Sequence, residues 1–179
     1  MVPETAPRKP RPAPRNEGAP PIGPVADRGQ ALTHVKLGSG GIREIELIVQ
    51  ALQVAFGGEN RALHPHGTVA ALAALAGAGL VTHEEHAALV AAYRFLRDVE
   101  NKLQMVHDTQ SHELPDSAGG QRACALRLGY RDAAEGGAGP ALLADYRRHT
   151  AAVSALFQKF FDPADTSRFR RRATSRTSS

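Results

Sequence analysis

An all-α fold, a helical bundle over residues 33–162 entered through a glycine turn, is what this 179-residue sequence predicts. Two observations carry that prediction. Apolar residues recur at steps of three and four through one segment after another, the period of a helix with one buried face. Nothing follows the two-residue period of a half-buried strand, apart from a short candidate through 34–37. The ends fall outside the bundle. Residues 1–32 hold most of the twelve prolines, which remove backbone donors and push each preceding residue away from helix. That arm is predicted to be disordered, and residues 163–179 are predicted to form a basic disordered tail.

The elements follow in order. Residues 33–46 form a glycine-rich loop and a helix start, and the helical domain runs over 42–162. Ile42, Ile45, Val49, Leu52 and Phe56 lie at helical spacing, and Gly57-Gly58 is predicted to stop that helix by adopting the left-handed conformation. Val69, Leu72 and Leu75 mark a shorter helix ending near Gly77 and Gly79. The third has the clearest start, because Thr82 and Glu85 make a Thr-x-x-Glu capping box ahead of a long apolar stripe. Leu89, Ala92, Leu96, Val99, Leu103 and Val106 carry that stripe, and the helix is predicted to reach about residue 110, before Leu114-Pro115. A fourth helix through 121–128 closes at Gly129. In the last, Pro140 sits where a first turn tolerates it, ahead of Leu143, Tyr146, Thr150, Val153, Phe157 and Phe160.

Charge and cysteine content narrow the function classes. The formal net charge is +4, but residues 1–32 carry five Lys/Arg against three Asp/Glu and residues 163–179 carry five against one. Basicity therefore belongs to the ends and not to the bundle. The run Arg168-Phe-Arg-Arg-Arg172 offers a single stacking ring, so it reads as a solvated tail and not as a nucleic-acid interface. One cysteine, Cys124, rules out an internal disulfide framework and suits a reducing cytoplasm. In Ala-Cys-Ala-Leu it reads as a small core residue. No segment has the length of a membrane span.

The stretch Lys36-Leu-Gly-Ser-Gly-Gly-Ile-Arg-Glu-Ile-Glu46 looks chosen for chemistry. Glycines at 38, 40 and 41 allow backbone amides to approach a ligand, and the helix start adds unpaired N–H groups and a dipole favourable to anions. Lys36 and Arg43 bracket the loop with positive charge, so the motif predicts a cradle for a phosphate-bearing ligand. Glu44 and Glu46 are two residues apart on a helix and cannot jointly hold a metal. No Asp-x-Asp occurs in the chain, although phosphoryl and nucleotidyl transfer need metal ions to neutralise developing charge. Neither His64-Pro-His66 nor His83-Glu-Glu-His86 has the His-Glu-x-x-His order of a zinc helix. Catalytic and metal-ligating residues are thus predicted to be absent. Along the third helix Arg94, Arg97, Glu100, Asn101 and Gln104 flank the apolar seam. They read either as surface ion pairs, Arg97 with Glu100 or Arg94 with Asp98, at about 0.3 kcal/mol each, or as a polar face for an adjoining domain.

Four segments resemble one known family. Val35-Lys-Leu-Gly-Ser-Gly-Gly-Ile-Arg-Glu-Ile-Glu-Leu-Ile-Val-Gln50, Ala92-Tyr-Arg-Phe-Leu-Arg97, Leu103-Gln-Met105 and Thr109-Gln-Ser-His-Glu-Leu-Pro115 are similar to the bacterial bifunctional glutamine synthetase adenylyltransferase/adenylyl-removing enzyme. The resemblance covers residues 33–162. It implies a nucleotidyltransferase-associated helical domain following a mixed α/β catalytic core, in a protein with two such units in tandem. The Ile42-Arg43-Glu44 form resembles the amino-terminal unit, which removes AMP from a tyrosine of glutamine synthetase using phosphate. By this resemblance Lys36, Gly38, Gly40, Gly41 and Arg43 lie at the edge of a nucleotide site and Glu44 orients Arg43 or the loop. The family's cofactors are Mg2+ and a nucleotide (ATP or ADP), and its partners are glutamine synthetase and a nitrogen-regulatory signalling protein. Leu47 departs from the family's usual Phe. The family's metal-binding carboxylates precede the motif, where this chain has its proline-rich arm, so the resemblance implies a truncated or frame-disrupted product that is inactive alone. A non-catalytic interaction module is the competing expectation.

Overall fold

The helices are set out by their caps as much as by their stripes. A computed structural model describes residues 34–58, 60–105, 113–132 and 137–162. Over these it contains five α-helices: α1 (Ile42–Phe56), α2 (Thr68–Gly77), α3 (His83–Gln104), α4 (Ala118–Arg127) and α5 (Ala138–Phe161), with one 3-10 turn at Arg61–Leu63. The expected all-α bundle is what forms. The candidate strand at 34–37 amounts to one antiparallel bridge between His34 and Glu113. The expectations for 1–32 and 163–179 lie outside the described residues, as does Val106.

α3 starts as its sequence says. The Thr82 hydroxyl accepts from the Glu85 amide at 3.2 Å, and the Glu85 carboxylate accepts from the Thr82 amide at 2.8 Å. Glu85 also receives Lys159 of α5 at 2.9 Å, so the same carboxylate ties two helices together. The helix ends at Gln104, short of the expected 110. α2 and α4 end alike. Gly79 (φ +70°) and Gly129 (φ +90°) are left-handed, and the residues after them, Leu80 and Tyr130, donate back to the carbonyls of Leu75 and Ala125. Such a turn satisfies the last carbonyls of a helix and needs glycine at the left-handed position. Gly57 does not work this way. Its φ is −81°, and glycine is required there because a Cβ would overlap the His64 ring and the Gln53 carbonyl.

Leu72, Leu75, Leu89, Leu96, Ile42, Ile45 and Ile48 are fully buried and form one core with Val35, Ala92, Val99, Leu142 and Val153. α5 packs along α3 and α4 and meets α1, while α1, α2 and α3 pack on one another. On α5 Tyr146, Val153 and Phe160 of the expected stripe are buried together with Ala138, Gly139 and Leu142, whereas Leu143 and Phe157 lie only half-buried, a local rotation at the start of the helix. Gly139 explains the rotation, since its missing side chain lets α5 approach the α4 backbone at Arg122. α4 itself begins three residues before the expected start, where the Ser117 hydroxyl caps the Gly120 amide. Cys124 is buried in the core, and burial pushes its thiol pKa up, as suits a packing residue and not a nucleophile.

Candidate functional site

The glycine loop is tightly wound against α5. The His34 carbonyl accepts from the Gly38 amide at 2.8 Å, and the His34 imidazole Nδ1 accepts from the Leu37 amide at 3.0 Å. Next, the Gly38 carbonyl accepts from Gly41 at 2.9 Å. The first amides of α1 are then taken in turn: Ile42 donates to Val35, Arg43 to Lys36 and Glu44 to Gly41, at 3.1–3.2 Å. Finally, the Gly40 amide donates to the Glu44 carboxylate at 3.0 Å. A helix start offers an anion its unpaired N–H groups, and here those groups are already paired.

Against the expectation that Gly38, Gly40 and Gly41 face a phosphate stands the observed pairing: all three amides donate within the loop. Packing explains the glycines. Gly40 has φ +73°, and a Cβ there would overlap the Thr150 carbonyl of α5. A Cβ on Gly41 would lie 2.8–2.9 Å from the carbonyl oxygens of Gly38, Lys36 and Val35. Ser39 adds a hydroxyl contact to Ser154 at 3.1 Å, and Val35 is wholly buried. Of the two roles implied for Glu44, orienting Arg43 or orienting the loop, the loop is the one its carboxylate performs. Burial pushes the Glu44 pKa up, against the opposing pull of the Gly40 amide.

The cations fare differently. Arg43 is exposed and Lys36 is half-buried, their backbones are joined by the 3.1 Å bond from Arg43 to Lys36, and neither side chain makes an ion pair among the described residues. Positive charge is thus held at the mouth of a rigid joint. Magnesium does not fit the residues present. Glu44 is committed to Gly40, and no group of three or more His, Cys, Asp or Glu converges among the described residues.

Two features escaped the sequence. Glu100, expected in a surface pair, is 2% exposed and receives Arg97 at 2.6 Å, because α3 turns that position toward its neighbours. The second is a groove of about 330 Å³ lined by Phe95 and Asp98 of α3, by Leu128, Gly129 and Tyr130 after α4, and by Asp145 of α5. Tyr130 donates its hydroxyl to Asp145 at 2.6 Å, and Arg148 donates to the other carboxylate oxygen at 2.7 Å. Burial, the Asp145 hydrogen bond and its charge all raise the Tyr130 pKa. Beside the groove His149 stacks on Phe95 with centroids 4.6 Å apart, and burial and the Arg148 charge push its pKa down. Only the Gly129 stop was legible in advance, since the groove exists only once three helices meet.

Comparison with known proteins gives consistent results. The family described as GlnD PII-uridylyltransferase matches residues 26–161. The chain is 48% identical over 98 residues to the bifunctional glutamine synthetase adenylyltransferase/adenylyl-removing enzyme of Stenotrophomonas maltophilia (strain K279a), covering 55% of this chain and 10% of that protein. It is 40% identical over 136 residues to the like-named protein of Xanthomonas campestris pv. campestris (strain B100), covering 76% and 14%. The like-named protein of Rhizobium meliloti (strain 1021) is 44% identical over 112 residues, covering 63% and 11%. The chain therefore spans only about a tenth to a seventh of the relatives' length.

Proposed function

The chain belongs to the GlnD PII-uridylyltransferase family, and from that premise we propose that it is the joint and helical domain of a glutamine synthetase adenylyltransferase/deadenylylase, without turnover by itself. The observation that carries this reading is the loop packed on α5, in which Lys36 and Arg43 make no ion pair among the described residues. In it, Gly38, Gly40, Gly41 and Glu44 hold the joint in shape. Lys36 and Arg43 bring charge to the edge of a nucleotide whose remaining contacts come from other groups. The group transferred in such a reaction is an adenylyl group, the described residues assemble no ligand set for Mg2+, and this chain's own part is limited to the two cations.

Adenylylated glutamine synthetase incubated with the purified chain, phosphate and Mg2+ tests the reading. No release of the adenylyl group is expected, and sustained release would overturn it. A positive arm uses AMP as probe: nuclear magnetic resonance shifts are expected at Lys36 and Arg43 and are expected to vanish in the Lys36→Ala/Arg43→Ala variant. Shifts confined to other residues would remove the nucleotide-edge role.

The second reading is a non-catalytic module that docks glutamine synthetase or a nitrogen-regulatory protein, and the apolar surface favours it. Leu37, Val54 and Met105 are 66%, 86% and 79% exposed. Retention of either partner on the immobilised chain, lost in a Leu96→Asp variant that breaks the core, is expected under this reading. Equal retention by both chains would discard it.

A further inference from the structure

We infer that the groove between α3 and the α4–α5 junction is a receptor for an arginine side chain presented by a protein partner. Its volume of about 330 Å³ lies at the low end of the roughly 300–1,000 Å³ typical of small-ligand sites, enough for one long side chain. Two aromatic residues and two carboxylates line it, and no Lys or Arg does. Asp145 is already spoken for, because Tyr130 and Arg148 occupy its two oxygens. That clamp fixes the Tyr130 ring as a wall and leaves the second carboxylate to supply the attraction.

Asp98 is exposed and makes no hydrogen bond or ion pair among the described residues. The Arg94–Asp98 pair open to the sequence is not formed. A planar guanidinium stacks on an aromatic face and bonds a carboxylate at its edge, a combination that an ammonium meets less well. Free arginine suits the groove poorly, since its α-carboxylate would lie near Asp98 and the cation beside the lining, Arg148, is already bonded to Asp145. A blocked arginine, carried within a polypeptide, has no such carboxylate. This inference stands apart from the nucleotide reading, because it uses neither Lys36 nor Arg43.

The test uses the full 179-residue chain, labelled with 15N, and Nα-acetyl-arginine N-methylamide as probe. Saturable shifts at Gly129, Tyr130 and Asp98 are expected. Acetyl-citrulline N-methylamide, equal in shape but uncharged, is expected to bind about tenfold more weakly, and Asp98→Asn to weaken the arginine probe about threefold with unchanged helicity. Three results would each overturn the inference: citrulline matching arginine, an Asp98→Asn variant that binds as tightly, or no saturable shift at the groove. Free L-arginine binding more tightly than the blocked form would overturn the assignment to a partner's side chain.

Discussion

The loop at 34–41 and the groove beside Tyr130 use polar groups in opposite ways. In the loop the amides of Gly38, Gly40 and Gly41 are all satisfied internally, and the missing side chain of Gly40 lets backbone press against backbone at Thr150. In the groove an exposed Asp98 carboxylate and two aromatic residues line an open space. The segment that looked most like a ligand cradle in one dimension has its glycine amides paired internally and two cations beside them. The segment without any motif has the concave surface. Glycines permit close approach, and the sequence does not say whether the approaching body is a ligand or the protein's own helix.

The contrast can be broken at several places. The largest effect is expected at Gly40→Ala, where a left-handed φ and an overlap with the Thr150 carbonyl combine to cost about 3 kcal/mol. Urea denaturation measures it, and a loss under half that size would mean that the joint is not rigid. Glu85→Ala comes next, at about 1–2 kcal/mol, because it removes half of a capping box and the partner of Lys159. The Glu85 pKa has a direction. Burial opposes the charge, but the Thr82 amide and Lys159 outweigh it and hold the pKa below the usual carboxylate value of 4.5. Its contribution is therefore full above pH 4.5 and is lost as pH falls through the lower, folded value. Acid unfolding of Glu85→Ala should accordingly converge on that of the parent.

On the groove side, Tyr130→Phe removes one hydrogen bond to Asp145 and is expected to cost about 1 kcal/mol. It should leave the loop's amide shifts unchanged, and a change there would show that the two regions are coupled. The smallest effect is expected at Glu44→Gln, whose amide oxygen still accepts from Gly40. Burial raises the Glu44 pKa, so Glu44 favours the fold most below pH 4.5 and that benefit fades as pH rises through the folded value. Thermal melts at pH 7 should find the Gln variant at least as stable as the parent, with the difference shrinking as pH falls below 4.5. Marked destabilisation at pH 7 would mean that the charge itself holds the loop.

Much of the fold was legible because helices advertise themselves locally. The Thr82–Glu85 box, the Gly79 and Gly129 stops and the buried face of α3 each depend on residues within a few positions of one another. Legibility declined wherever two helices share a decision. Leu142 was buried in place of Leu143 because Gly139 lets α4 come close. Glu100 was drawn inside with Arg97 attached, although spacing alone made that pair equivalent to any exposed one. Of the candidate site residues, Lys36 and Arg43 were read for their charge, and neither makes an ion pair among the described residues. The glycines were read for the ligand and Glu44 for orienting Arg43 or the loop, and the Glu44 carboxylate accepts from the Gly40 amide within the turn.

The order of helices, their caps and their apolar periods were determined by the sequence itself, because the forces that set them act over one or two turns. Tertiary structure alone decided that Leu142 and not Leu143 is buried on α5, that Gly40 packs against Thr150, and that Phe95, Tyr130 and Asp145 border one groove. Each of these depends on atoms brought together from distant positions, and close packing between helices is not encoded in the period of any one of them.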